Sequence, residues 1–202
     1  MPALVSVLVL LTVFLCSAQD TVLKDRFRKA ADYRTIQADF VQTRHLKELD
    51  MKVEIRGEMV CEKNGRLRWQ VKSPILSITV ISQNELRHFD GETGKLAVID
   101  SAKFPWLGVL RDCMTDWIAA DPERLHQRFK LATQDSRTLR LLPENDQFRQ
   151  IFNAVEIRLS ADFNTVERIL IEEKSGDRLT IRFSQVRKNP VLPEKIWQLP
   201  PP

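Results

Sequence analysis

Reactive chemistry is what this chain lacks most. Its 202 residues hold three cysteines, three histidines, six glycines and one tyrosine. There is no G-x-S-x-G elbow, no H-E-x-x-H, no C-x-x-C, no phosphate loop and no G-x-G-x-x-G. His45, His88 and His126 stand far apart and read as surface or structural residues, so neither a metal nor a cofactor is expected. The chain reads as a binding protein and not an enzyme; a hydrolase would need a Ser or His pair assembled only by the fold.

Long runs of one kind are also missing. The 31 basic and 27 acidic residues give a net charge of +4 without a like-charge block, which excludes a nucleic-acid arm and leaves a solvated surface. The apolar stretch Val5 to Leu15 falls short of the roughly 20 residues that a spanning helix needs, and Cys16-Ser17-Ala18 follow it. This reads as a secretory signal peptide, residues 1–18, although Met1 to Leu4 bring no Lys or Arg. Lipidation of Cys16 is the rival reading, against which stands the bulky Phe14-Leu15 just before it. Residues 19–202 then form one soluble, exported domain, able to bury about 70% of the surface its unfolded chain exposes. Export would allow a Cys61–Cys113 bridge, while two buried small hydrophobes is the plainer reading.

Leu23, Phe27, Ala30 and Ala31 recur at helical spacing. From Leu49 the period becomes two: Leu49, Met51, Val53, Ile55, Met59 and Cys61 alternate with charged residues. Asn64-Gly65 makes a turn, and Leu67, Trp69 and Val71 continue the alternation, so the two segments predict a hairpin with one shared apolar face. Further strands are predicted at Leu76–Ser82, Leu86–Asp90, Lys95–Ile99, Phe129–Thr133, Thr138–Leu142, Ala154–Leu159, Val166–Glu172 and Arg178–Val186, with turn-rich separators. Many short strands joined by tight turns imply an antiparallel meander that curls to protect its edges. One helical interruption, Pro105 to Ala120, is apolar on more than one narrow stripe, and Asp121-Pro122-Glu123 starts another helix. Core and ligand cavity use the same residues, so periodicity alone does not separate a packed barrel from a hollow one.

Ile36-Gln37-Ala38-Asp39-Phe40-Val41-Gln42-Thr43, then Arg56-Gly57-Glu58-Met59, Arg66-Leu67-Arg68-Trp69, Ser73-Pro74, Leu142-Pro143 and the pair Val166–Glu172 and Asp177–Phe183 around Gly176 resemble, in order and spacing, the outer-membrane lipoprotein carrier family, LolA-like proteins. The resemblance implies a mainly β (α+β) fold: a half-open curled antiparallel sheet or barrel covered by short helices that form a lid. It implies carriage of lipoprotein acyl chains, or of a related envelope lipid, through the periplasm by a monomer. The partners would be an inner-membrane ATP-driven extractor and an outer-membrane receptor. The apolar cavity would be lined by Met51, Val53, Ile55, Met59, Leu67, Trp69, Val71, Ile78 and Val80. The lid would be Trp106, Leu107, Leu110, Met114, Trp117 and Ile118, latched by Lys63, Arg66 or Arg68. Two departures stand out: Lys63-Asn64-Gly65 replaces the family's Arg-Pro turn, and Gln83-Asn84-Glu85 its Asp-Gly turn. An anchored receptor or envelope-stress sensor of the same fold is the alternative.

Overall fold

The alternation in residues 49–73 does become a hairpin, and the rest of the sheet grows outward from it. A computed structural model of the chain describes residues 21–63, 65–100, 103 and 106–201. The 1–18 segment with Cys16, Asn64 of the hairpin turn and the side chains of Trp106, Leu107 and Leu110 lie outside the described residues. A first helix α1 (residues 21–30) leads into β1 (Thr35–Leu46), β2 (Met51–Glu62), β3 (Leu67–Ser73), β4 (Ser77–Ile81), β5 (Glu85–Asp90) and β6 (Leu96–Asp100). Helices α2 (Trp106–Ala119) and α3 (Pro122–His126) interrupt the strands. Then come β7 (Phe129–Asp135), β8 (Thr138–Pro143), the single-turn α4 (Asp146–Arg149), β9 (Phe152–Leu159), β10 (Val166–Glu173), β11 (Arg178–Lys188) and a 3-10 turn at Glu194–Trp197.

Among the described residues the eleven strands form one antiparallel sheet in the order β6-β5-β4-β3-β2-β1-β11-β10-β9-β8-β7. Each strand pairs with its sequence neighbour except where β1 closes on β11, Phe40 opposite Phe183 and Gln42 opposite Ile181. That junction makes a continuous sheet of two meanders, with β6 and β7 as its edges. One apolar cluster unites Ile81 of one flank, Leu139 and Leu141 of the other, and Phe27, Trp117 and Phe148 of the helices, so the sheet wraps around its own interior. Burying a side chain of this kind contributes roughly 1.5–3 kcal/mol, and Phe27 is fully buried. Local chemistry fixes the helix starts. Asp121 accepts a hydrogen bond from the Glu123 backbone N–H at 3.1 Å with Pro122 at the first helical position. Asn145 does the same for Phe148 at 3.1 Å.

The outer face is dry in one place. Val60, Ile78, Val80 and Phe89 pack against Trp197, with Leu192, Ile196 and Leu199 of the chain's last stretch around it. Arg66 fastens that stretch: it is ion-paired with Glu194 at 2.5 Å and its guanidinium sits 4.4 Å from the centre of the Trp197 ring. Arg87 donates to the Trp197 carbonyl at 3.1 Å.

Candidate functional site

Strand alternation puts the even residues of β1 and the odd residues of β2, β3, β10 and β11 on the inner face, and part of that face lines a hollow of about 660 Å³. Ile169 and Ile171 of β10 and Leu179, Ile181 and Phe183 of β11 form one wall. Trp69 of β3 is also part of the lining and stacks on Phe40, ring centres 3.9 Å apart. Cys113, Met114, Trp117 and Ile118 bring α2 over the hollow, and Phe148, Ile151 and Phe152 complete it. Trp117 meets Phe152 edge-on at 5.7 Å, and Phe129 stacks on Phe148 at 5.7 Å, so the aromatic side is internally braced. Among the described residues, the only strongly polar ones on the lining are Gln42, Arg44 and Glu173. Arg44 is paired with Glu173 at 2.8 Å and with Asp177 at 3.4 Å. Hydrogen bonds from the Lys47 backbone N–H and from Arg44 hold the Asp177 carboxyl below its usual range.

The mouth can be located from exposure along one strand. On β2, Met51 is 50% exposed and Val53 43%, whereas Met59 is 1% exposed. The partners of Met51, Val53 and Ile55 on β1 are Leu46, Arg44 and Gln42. The polar lining therefore sits at the open end, and the lining deepens into apolar residues towards Trp69 and Phe183.

Helix α2 is fastened through its polar side. Asp116 is buried and ion-paired with Arg124 of α3 at 2.7 Å and with Arg128 at 3.5 Å; Arg128 also reaches Asp112 at 3.2 Å. Burial pushes the Asp116 carboxyl above the ordinary carboxylate range, against the pull of Arg124 and Arg128. Arg124 also donates to the Lys63 carbonyl at 3.0 Å, and the Lys63 ammonium donates to the carbonyl of Ala31 at 2.7 Å. The β2–β3 turn is thereby tied to both α1 and α3. Cys61 and Cys113 are buried and free. Burial pushes the Cys61 thiol up to about 12 and the Cys113 thiol up to about 11.

Of the sequence-predicted residues, Trp69, Met114, Trp117 and Ile118 lie on the lining. Met59, Leu67 and Val71 are buried in the main cluster on the same face, with Ile55 packed against it. Met51 and Val53 extend that face beyond the mouth, exposed. Ile78 and Val80 require correction: they are opposite Gln70 and Arg68 of β3, not Leu67, Trp69 or Val71, so they point outward and pack under Trp197. Arg66 and Arg68 also face outward, towards the last stretch of chain, where Arg68 donates to the Gln198 carbonyl at 3.4 Å; among the described residues neither is bonded to α2. Sequence reasoning missed Arg124 and Arg128, the cations that pair with α2, and the wall made by Phe148, Ile151 and Phe152.

A single sheet wound part-way round an apolar hollow, with a helix laid over it, defines a class of half-open barrels with a dry interior. The chain belongs to one family of that class, described as "Outer membrane lipoprotein carrier protein LolA", whose sequence profile matches residues 31–200. It is similar to the outer-membrane lipoprotein carrier protein of Nitrosomonas europaea, 26% identical over 176 residues, covering 83% of this chain and 79% of the relative. It is likewise similar to the protein of that name from Legionella pneumophila strain Corby, 21% identical over 170 residues, covering 84% and 80%. An uncharacterized conserved protein from Thermus thermophilus shares the fold, with a TM-score of 0.53, 13% identity and coverage of 91% of this chain and 94% of that one.

Proposed function

We propose that this chain is a periplasmic carrier that holds an acyl chain of a lipoprotein, or of a related envelope lipid, in the hollow and delivers it towards the outer membrane. The observation that carries this reading is the near-absence of polar groups, among the described residues, on the lining of a 660 Å³ hollow in a chain of the lipoprotein carrier family. Burial of a methylene is worth about 0.8 kcal/mol, so an apolar guest is held without a covalent step and released when a drier acceptor is offered. Met114, flexible and polarizable, suits guests of varied shape. Among the described residues no helix is long and apolar enough to cross a membrane, and none of their His, Cys, Asp and Glu side chains gather in threes as a metal would require. In this scheme residues 1–18 direct export and are removed, an inner-membrane ATP-driven extractor loads the carrier, and an outer-membrane receptor unloads it.

Native mass spectrometry with lipid extraction, on protein purified from the periplasm, tests the reading and identifies the cargo. A protein that carries no lipid, and that takes up no acyl probe after delipidation, would overturn it.

A further inference from the structure

The volume of the hollow sets a limit on what enters it. A methylene occupies about 25 Å³ at the packing density of protein interiors, so 660 Å³ accepts roughly two dozen chain carbons. Three sixteen-carbon chains would need about 1200 Å³ at that density. One chain fits whole, and several do not.

The polar lining gives the guest a direction. Among the described residues, Gln42, Arg44 and Glu173 are the strongly polar ones on the lining, and Arg44 and Gln42 sit beside Val53 and Ile55 at the open end. Arg44 is paired with Glu173 through one guanidinium nitrogen, while its Nε has no partner among the described residues. The Gln42 amide is different: it faces the hollow between Ile55 and Ile181 and has no hydrogen-bond partner among the described residues. An amide that both donates and accepts, placed where a dry cavity turns wet, matches the ester or amide carbonyl that heads an acyl chain.

Resting on the acyl-carrier reading above, we infer that the hollow is a one-chain site: it encloses a single acyl chain, tail towards Trp69 and Phe183, with the linking carbonyl on the Gln42 amide. The remaining chains of a multiply acylated guest stay outside it.

Delipidated protein titrated with ester-linked lysophosphatidylcholines of increasing chain length tests the capacity. Affinity should rise by up to about fourfold per methylene, level off near two dozen carbons, and saturate at one lipid per protein. A triacylated lipopeptide should bind within a few-fold of the monoacylated one. Continued strengthening beyond that length, or a hundredfold tighter triacyl complex, would overturn the one-chain site while leaving a carrier. No binding of any of these lipids would overturn the carrier reading and this inference together. Gln42→Leu tests the orientation. Wild type should prefer an ester-linked lipid over its ether-linked counterpart by roughly two- to tenfold, one hydrogen bond's worth. The variant should lose that preference, with a cooperative melt like that of wild type reporting an intact fold. An ester preference undiminished in Q42L would refute the placement of the carbonyl.

Discussion

Replacing Trp69 by Asp separates a hollow from a filled core, because Trp69 faces both. Its indole is only half-buried, stacks on Phe40 and presents the rest of its surface to the hollow. Folding would lose one aromatic stack, about 1 kcal/mol, and part of an indole's burial, for a total near 2–3 kcal/mol, below the full cost of deleting a buried Trp. Binding would lose more. A carboxylate at that position must be stripped of water when a chain lies against it, at a cost of several kcal/mol, and 1.4 kcal/mol is tenfold in affinity. Acyl-probe affinity should therefore fall at least a hundredfold while the variant still melts cooperatively at a lower temperature. Trp69→Phe, which keeps the stack and the apolar surface, should stay within about tenfold of wild type in binding. The assay is paired: probe titration and thermal melting on delipidated wild type and both variants. Undiminished binding by Trp69→Asp would show that the guest does not touch Trp69. A wild type that takes no probe, together with an aspartate variant that unfolds, would mean that the interior closes into an ordinary core.

Three further outcomes follow from the geometry. Gly57→Ala should destabilise the domain by about 2–4 kcal/mol in thermal or denaturant unfolding, since a Cβ there would sit 1.9 Å from the Gln70 carbonyl oxygen and 2.9 Å from the Phe40 ring, where β2 and β3 shift register. The Arg66 guanidinium donates to Glu194 and holds its carboxyl below the usual range, so the pair's stabilisation is complete above the unfolded carboxyl's range and is lost as pH falls. The melting-temperature gap between wild type and Glu194→Gln should accordingly be present at neutral pH and close as the pH falls through the lowered range of the folded carboxyl. Protein lacking residues 1–18, denatured without reductant, should titrate as two free thiols, and the native protein should react slowly with thiol reagents, because burial holds Cys61 and Cys113 protonated; zero thiols would establish the bridge instead.

The strands were legible in the sequence because their two faces differ. Leu67, Trp69 and Val71 alternate with the polar residues Arg66, Arg68, Gln70 and Lys72, and the hairpin they predict forms with Met59 opposite Trp69. Predicted strands and observed ones agree to within a residue or two from β2 to β11. The assignment failed at β4, where Ile78 and Val80 alternate with Ser77 and Thr79 just as regularly. Alternation reports that one face is dry but not which one, and here the outer face is dry because Trp197, more than a hundred residues later, covers it. The fastening of α2 was illegible for a related reason. Asp116, Arg124 and Arg128 look like ordinary solvated charges in sequence, and only the approach of α3 makes Asp116 3% exposed and paired.

The mouth of the hollow, by contrast, left a trace that periodicity alone could have yielded. Along β1 the inner face runs Ile36, Ala38, Phe40 and then turns to Gln42 and Arg44; along β10 it runs Ile169, Ile171 and then Glu173. A filled core would continue apolar to the strand ends or finish them in solvent. Here the polar residues remain on the inner face at one end of two strands that β11 separates, and they are joined by the Arg44–Glu173 pair at 2.8 Å. A dry stripe that turns polar at the same end of neighbouring strands marks a place where water meets the interior. Since the inner face carries Phe40, Ala38 and Ile36 beyond Gln42 on β1, and Ile171 and Ile169 inward of Glu173 on β10, the boundary between Gln42 and Phe40 is also where an amphiphile would divide into head and tail.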